Sequence, residues 1–392
     1  MNTAATASEK VPFWLDPRKR SFMFQIVIFL IVGLLAYYLV SNMLLNMEKQ
    51  NIASGWGFMQ KESSFEVGES LISYSSSSSY GRALLVGALN TLLVALIGNA
   101  ITLVLGTVIG IARLSTNWLV SKLAGIYIEV MQDIPVLLQL FFWYAIFYEI
   151  FPSPRQALSP IKGVFLCNRG AVFAVPAAHQ AWGYMLIALA VACLLAFFLK
   201  RWARRRQDKT GRRFPVFLAS LLLILGLPFV VWLVNGAPTE MSVPELRGFN
   251  FQGGMAVSPE FAALLLGLVL YTSAFVAEVV RAGIQSVSKG QTEAAMSIGL
   301  RPNLVLTLVI LPQAMRVIIP PLISQMLNLT KNSSLAVAIG YPDFVSVANT
   351  TINQTGQAVE GVALIMAVYL IFSLSTSLFM NWYNKKVALV EL

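Results

Sequence analysis

The stretch LLVGALNTLLVALIGNAITLVLGTVIGIA, residues 84–112, contains no charged residue. About 20 helical residues are enough to cross a hydrocarbon core roughly 30 Å thick. A helix is the expected spanning form, because the alternation of a membrane barrel strand is missing here. The stretch therefore predicts a transmembrane helix.

Similar apolar runs recur along the chain. Of its 392 residues, 57% are hydrophobic and 12% are charged, against roughly 45–50% and 25% in a soluble domain. The sequence predicts an all-α polytopic membrane protein with about eight transmembrane helices. The other predicted spans are 22–45, 124–150, 182–199, 214–235, 260–281, 313–329 and 360–380.

The net charge of +10 is explained by orientation. With the N-terminus inside, 18 of the 28 Lys and Arg residues fall in inside segments and 8 in outside segments, as the positive-inside rule predicts. The largest contribution is a basic cytoplasmic loop at 200–213, suited to anionic membrane lipid. Both termini are predicted to be cytoplasmic, 22–45 is predicted to be a retained signal anchor, and nucleic-acid binding is excluded.

The sequence lacks the signatures of several classes of protein function. Two cysteines and the single His179 provide neither a disulfide framework nor a metal site. Neither a phosphate-binding Gly-x-x-x-x-Gly-Lys-[Ser/Thr] loop nor a Gly-x-Ser-x-Gly elbow occurs. No catalytic residue, metal or cofactor is therefore expected in this chain. The outside segments 46–83 and 236–259 are predicted to be loops and linkers, with room for short interfacial helices.

An inside segment after the sixth span has helix-turn-helix character. Residues 293–298 favour a short helix, Gly299 permits a left-handed turn, and Pro302 can begin another helix. Its small-residue face and nearby acid suit the groove of a partner protein. On the residues alone, an ordinary amphipathic loop is equally acceptable.

The spacing of this segment resembles the EAA signature of permease subunits of ABC importers. In that family the segment forms coupling helices that dock on the ATP-hydrolysing subunit. Val309 replaces the usual Ile, a mild departure. The matching residues are Glu293, Ala294, Ala295, Gly299, Leu311 and Pro312.

Further stretches are similar to the polar amino-acid branch of that family, the histidine/glutamine type. They lie within 91–92, 127–142, 277–283 and 328–335. The resemblance implies a five-helix type I permease core. The first span and the region 151–257 resemble longer members that serve general L-amino-acid uptake.

The resulting organisation combines this core with additional segments. The expected parts are a cytoplasmic tail at 1–21, an extra helix and periplasmic linker at 22–79, the first part of the core at 80–150, an insertion with two more spans and the basic loop at 151–257, the second part of the core at 258–385 with its coupling loop at 289–312, and a tail at 386–392.

Ionisable residues within spans are functional candidates, since burying them in a membrane is unfavourable. Glu129 and Asp133 are expected in the first turns of a helix at its cytoplasmic start, where a structural role suffices. Glu278 and Arg281 could pair within one helix and contact the charged groups of an amino acid.

One departure affects the substrate pathway. Where many members read Arg-Gly-Thr-Pro, this chain reads Gln-Asp-Ile-Pro at 132–135, at a helix interruption that faces the pathway in the family. Substrate preference is therefore not transferable from relatives. Ser333 and Ser334, beside Lys331, either gate or solvate the outer end. The pathway candidates are Asp133, Ile134, Pro135, Gln139, Glu278, Arg281, Asn328, Ser333 and Ser334.

The resemblance implies an importer permease of the bacterial inner membrane that works by alternating access. Its expected partners are an ATPase dimer that binds ATP and Mg, a second permease subunit in a heterodimer or homodimer, a periplasmic amino-acid-binding protein, the L-amino acid and membrane lipid. The alternative is an ion-coupled secondary amino-acid transporter, in which Glu278 or Asp133 would carry protons.

Overall fold

The computed structural model describes residues 17–50, 54–212 and 214–387, most of them in helices, and the predicted helical membrane fold is confirmed. The predicted terminal tails lie largely outside these ranges. The helices are α1 (Pro17–Lys49), α2 (Tyr80–Arg113), α3 (Trp118–Asp133), α4 (Val136–Ala145), α5 (Gln180–Thr210), α6 (Val216–Val234), α7 (Pro259–Gln285), α8 (Lys289–Ser297), α9 (Pro302–Val305), α10 (Leu311–Asn332), α11 (Phe344–Thr355) and α12 (Ala358–Val387).

Within the described ranges, seven helical segments are long and apolar enough to span a membrane, and the pair α3 and α4 counts as an eighth. This pair is bent by 102°. The span predicted at 124–150 is therefore broken, in agreement with the helix interruption that the resemblance implied at 132–135. Ile134 is extended between the two helices, because the proline after it disfavours the helical region for its neighbour and lacks an N–H.

The insertion contains short strands beside its two helices. A four-stranded antiparallel sheet joins residues from before α5 to residues from after α6, with Val172 opposite Ala256. The loop prediction for 236–259 was wrong at these strands. Strands this short, paired with partners distant in sequence, leave no alternating pattern to detect. The strands are β1 (Leu158–Ile161), β2 (Val164–Cys167), β3 (Gly170–Phe173), β4 (Val175–Pro176), β5 (Met241–Ser242), β6 (Glu245–Arg247), β7 (Asn250–Gln252) and β8 (Met255–Val257).

The predicted basic loop at 200–213 is mostly helical, so the loop prediction was wrong there. Helix α5 continues to Thr210 and ends at Gly211, whose φ is +68°. Lys and Arg are good helix formers, so a basic run after a span need not break its helix. Trp202 on this extension packs edge-on against Phe214, which lies just before α6.

The described chain divides into two compact units. The first comprises the residues up to Asn90 together with Pro342–Phe372. Asp343 is fully buried in it and caps α11 by accepting the backbone N–H of Ser346 at 2.9 Å. The Tyr369 hydroxyl also donates to its carboxylate, at 3.1 Å. Burial raises the pKa of Asp343 to about 6, although these hydrogen bonds oppose the rise.

The second unit comprises Thr91–Tyr341 and the chain from Ser373. Its core is built around α7, since 61% of the apolar window of this helix is buried. The predicted domain boundaries remain predictions. Fully buried core residues include Val94, Leu140, Leu264, Leu268, Leu329 and Tyr341.

Candidate functional site

The predicted coupling segment forms the expected helix-turn-helix. Helix α8 begins after Ser288, whose hydroxyl accepts the Gly290 N–H at 3.3 Å. It ends at Ser297, and Gly299, two residues later, has a φ of +83°. The Gly299 N–H donates to the Met296 carbonyl at 2.9 Å, and the Leu300 N–H donates to the Ala295 carbonyl at 3.3 Å. These two bonds form a Schellman motif, which stops α8 and reverses the chain.

The two alanines of this segment face in different directions. Ala295 is buried, as is Val305 on α9, whereas Glu293 and Ala294 are exposed. Ile298, at the turn, is 78% exposed. Helix α8 therefore packs one side against its own chain and presents an acid, a small residue and apolar side chains outward. That surface suits a protein groove.

Leu311 and Pro312 begin α10, directly after the π-helical turn Leu306–Ile310. Pro312 has no N–H to continue the regular helical hydrogen bonds. The Gln313 side chain donates to the Val309 carbonyl at 2.9 Å and therefore satisfies one carbonyl of the irregular turn. A second contact from this amide reaches Gln291 on α8 at 3.5 Å, so α8 and the start of α10 are linked.

The pathway candidates of the broken span surround its bend. Asp133, Ile134 and Pro135 are exposed, and Gln139 is only 4% exposed. The Gln139 amide donates to the carbonyls of Met131 and Ile134, both at 2.9 Å. Gln139 on α4 thus holds the end of α3, and its role in the structure is to fix the bend.

The expectation for Glu129 and Asp133 was wrong. Both lie in the last turns of α3, which begins at Trp118, rather than in the first turns of a helix. Carboxylates at a helix C-terminus face the negative end of the helix dipole, so the dipole does not stabilise them there. The structural explanation offered for these acids therefore fails. Apolar composition alone shows neither the residue at which α3 begins nor the point at which the span breaks.

Glu278 and Arg281 form the predicted pair within α7. The Arg281 Nε donates to the Glu278 carboxylate at 2.9 Å, and a second guanidinium nitrogen also binds it. The opposite edge of the guanidinium donates to Gln285 at 2.6 Å. The pair lies within the last three turns of α7, close to α8. A substrate contact for these residues stays a prediction.

The three remaining candidates lie at the end of α10. Asn328 is exposed, while Ser333 is fully buried and donates its hydroxyl to the Thr330 carbonyl at 2.7 Å. Ser334 is half-buried and binds the Lys331 carbonyl in the same way. Solvation therefore does not describe Ser333, whose hydroxyl is used within the helix.

The candidates thus occupy separate places. Within the described ranges, no hydrogen bond or ion pair joins Glu278 or Arg281 to Asp133 or Gln139. Among those same residues, no group of three or more His, Cys, Asp or Glu side chains could hold a metal ion. The arrangement combines an exposed short helix, whose surface suits a protein groove, with a break in an apolar span that leaves Asp133 exposed.

Sequence reasoning missed two connections between helices. Arg113, the last residue of α2, donates to the Ser121 hydroxyl on α3 at 3.1 Å. The Tyr127 hydroxyl on α3 contacts the Ser273 hydroxyl on α7 at 2.7 Å. Arg113 could have been singled out in the sequence, because it is the first charged residue after the long apolar stretch at 84–112. Its hydrogen-bond partners could not have been predicted from the sequence.

Comparison with known proteins assigns the chain to a family. Residues 102–389 match the family described as the inner membrane component of binding-protein-dependent transport systems. The chain belongs to this family. Two relatives are 48% identical to this binding-protein-dependent transport component: the general L-amino acid transport system permease protein AapQ of Rhizobium johnstonii, over 96% of this chain and 94% of AapQ, and the putative amino-acid ABC transporter permease protein YhdX of Escherichia coli, over 96% of both.

A third relative agrees. The glutamate/glutamine/aspartate/asparagine transport system permease protein BztB of Rhodobacter capsulatus is 38% identical over 96% of this chain and 95% of BztB. Each of these three matches covers 96% of this chain, so the alignments include the insertion at 151–257 as well as the core. As a member of this transport family, the chain is a membrane transport component.

Proposed function

We propose that this chain is the permease subunit of an ABC importer that takes up L-amino acids across the bacterial inner membrane by alternating access. Relatives named as amino-acid permeases over nearly their full length support the substrate class. In this proposal the chain provides the pathway, and ATP and Mg bind to a separate ATPase dimer.

The observation that carries the proposal is the coupling segment. Its turn at Gly299 is fixed by two backbone hydrogen bonds, its inner side is packed through Ala295, and Glu293 faces outward. A rigid, exposed helix of this kind can transmit the movement of a docked partner without deforming. A transporter driven only by an ion gradient has no need of such a surface.

The remaining partners follow from the same proposal. A periplasmic amino-acid-binding protein delivers substrate outside, and a second permease subunit completes the pathway. The ATPase and the binding protein each favour one conformation, which provides the differential binding that alternating access requires. Asp133, Ile134 and Pro135 are proposed to line the pathway, because the break leaves these three residues exposed within an apolar span, and the buried Gln139 is proposed to contribute by holding the bend.

The test uses the assembled complex. The full chain is purified with its co-purifying subunits in mild detergent and reconstituted in vesicles, and uptake of the twenty standard L-amino acids is followed with and without ATP. We expect ATP-dependent uptake that Glu293→Lys abolishes, since the reversed charge lies on the exposed coupling surface. Uptake driven by a proton gradient alone, and unaffected by Glu293→Lys, would identify a secondary transporter instead.

A matched pair of glycine variants tests the coupling turn itself. Gly299 has a φ of +83°, so Gly299→Ala forces a side chain into the left-handed region at a cost of roughly 1–2 kcal/mol. Gly290, in the first turn of α8, has an ordinary φ and only the Ser288 hydroxyl near its missing Cβ. We expect Gly299→Ala to lower ATP-driven uptake about tenfold and Gly290→Ala to leave it unchanged. Equal effects would contradict a specific role for the turn.

A further inference from the structure

Three helices of the second unit meet at charged side chains just before the coupling segment. Arg281 binds both Glu278 and Gln285 along the last turns of α7. Only three residues, 286–288, separate the end of α7 from the start of α8. Any displacement of α8 therefore acts directly on the turns that carry this ion pair.

Arg113 fixes the end of α2 to α3. Its guanidinium donates to the Ser121 hydroxyl at 3.1 Å, and that hydroxyl donates back to the Arg113 carbonyl at 2.9 Å. A Cβ atom at Gly125 would lie 3.1 Å from the guanidinium carbon. The missing side chain therefore lets the guanidinium lie against the α3 backbone, one turn beyond Ser121.

Close packing of α2 against α7 brings this guanidinium near Glu278. A Cβ atom at Gly110 would lie 2.6 Å from the Ala277 carbonyl oxygen, and one at Gly106 would lie 2.8 Å from that of Ser273. Arg113 follows Gly110 by one helical turn on the same face. Ala277, whose carbonyl Gly110 approaches, directly precedes Glu278, so the end of α2 that carries Arg113 lies beside the turn of α7 that carries Glu278.

We propose that Glu278 is a positioning residue whose carboxylate joins the ends of α2 and α7, and through Arg113 the start of α3, to the coupling segment. This inference rests on the proposed function. Movement of α8 would pass through Arg281 and Glu278 to Arg113 and then along α3 to the break at Ile134 and Pro135. Glu278 thereby acts on the pathway without touching substrate.

Charge balance explains why the carboxylate is needed. Among the described residues, Glu278 is the acid paired with Arg281, and the Arg113 guanidinium binds the Ser121 hydroxyl and forms no ion pair with an acid. Removing the carboxylate leaves two like charges near each other at the edge of an apolar region, which is unfavourable. The helix ends would then separate, and the motion of α8 would no longer reach α3.

The experiment compares Glu278→Gln, Glu278→Asp, Arg281→Gln and Arg113→Gln with Glu260→Gln in the reconstituted complex. Glu260 is a matched control, because it lies on the same helix at the opposite end and accepts a hydrogen bond from Tyr144. Amino acids taken up per ATP hydrolysed are measured, together with co-purification of the subunits. We expect Glu278→Gln and Arg113→Gln to lower this ratio about tenfold, with intact assembly and near-normal ATP hydrolysis, and Glu278→Asp to retain most of it.

The outcomes separate the inference from the proposed function. Absence of ATP-driven uptake in the unmodified complex would refute the proposed function. Normal uptake per ATP in Glu278→Gln and Arg113→Gln, equal to Glu260→Gln, would overturn only the inference. A loss seen in Arg281→Gln but absent in Arg113→Gln would also overturn it, since the pair would then act within α7 alone.

A measurement independent of transport completes the test. Unfolding temperatures of the two single variants and the double variant form a thermodynamic cycle between positions 278 and 113. We expect the loss of stability in the double variant to be smaller than the sum of the two single losses, because the link between positions 278 and 113 is removed by each single variant. Additive losses would show that the two side chains do not interact. This readout also decides the case in which Glu278→Gln does not assemble.

Discussion

Helices α7 and α6 are both long and apolar enough to span a membrane, yet they are surrounded differently. Of the apolar window of α7, 61% is buried, whereas none of the window of α6 is. Helix α7 carries Glu278, Arg281 and buried Ser273, while α6 has no charged residue. Apolarity therefore identifies a span, and small and polar side chains distinguish the span that packs against protein.

Packing explains the difference. Lipid tails are as apolar as leucine, so helices associate in a membrane through close contact and hydrogen bonds between them. Gly106 and Gly110 on α2 let that helix approach α7 to backbone contact. Gly226 on α6 has no atom within 4 Å of its missing Cβ. A glycine in an apolar helix is informative only when the opposing surface is known.

The strongest test of this comparison is a pair of leucine truncations. Leu264 on α7 is fully buried, and Leu222 on α6 is 65% exposed. We expect Leu264→Ala to destabilise the protein by about 2–3 kcal/mol, because it leaves a cavity among Val94, Leu140 and Leu268. Leu222→Ala should have almost no effect, since lipid fills the space. Thermal unfolding in detergent measures both, and equal losses would mean that α6 packs as tightly as α7.

In the first unit, burial affects the ionisation of an acid, Asp343. The pKa of Asp343 in the folded protein is about 6, against 3.8 for an unperturbed aspartate carboxyl. The folded protein therefore binds more protons between these values, so stability is fully present below about pH 4 and falls as pH rises through 6. The loss is on the order of 3 kcal/mol at most.

The variant Asp343→Asn checks this origin of the pH dependence. The amide oxygen keeps a cap for α11 but cannot ionise. We expect unfolding temperatures measured from pH 4 to pH 7 to fall for the unmodified protein and to stay level for the variant. Asp208→Asn, which changes an exposed acid on α5, should retain the fall. A fall that persists in Asp343→Asn would assign the effect to another group.

Sequence was sufficient where one residue type dictates one local conformation. The spacing around Gly299 predicted the coupling turn residue by residue, because only glycine adopts that φ readily. The predictions of the first span at 22–45 and of the coupling segment at 289–312 both depended on local signals. The Glu278–Arg281 pair was equally accessible, since residues three apart meet on any helix.

Sequence was insufficient where the decisive contact is distant along the chain. The 102° bend had a local signal in Pro135, and the resemblance implied a helix interruption at 132–135, but apolar composition alone did not show it. Nothing in sequence indicated that Gln139 would bind the carbonyls before the bend. The pairing of β3 with β8 joins residues on opposite sides of two helices, and no periodicity reports such a partner.

A smaller difference in stability is expected between substitutions of Gly106, where α2 packs against α7, and of Gly226 on α6. At Gly106, a Cβ atom would lie 2.6 Å from the Val276 Cβ and 2.8 Å from a backbone oxygen, neither of which can move easily. We expect Gly106→Val to cost about 1–3 kcal/mol through overpacking, and Gly226→Val to cost less than 0.5 kcal/mol, roughly the range for unconstrained sites. If both variants unfold at the same temperature, α2 and α7 separate more readily than their contacts indicate.

The smallest expected difference concerns a single hydroxyl. The Tyr127 hydroxyl contacts the Ser273 hydroxyl at 2.7 Å and donates to the Leu270 carbonyl at 2.9 Å, which ties α3 to α7. Tyr184 on α5 is 49% exposed and provides the matched control. Hydrogen bonds between membrane helices contribute about 0.6 kcal/mol on average, so Tyr127→Phe should lower the unfolding temperature slightly and Tyr184→Phe should not. Because packing of the ring is unchanged, a loss much above about 2 kcal/mol would show that α3 is held to α7 chiefly by this hydroxyl and not by close contact.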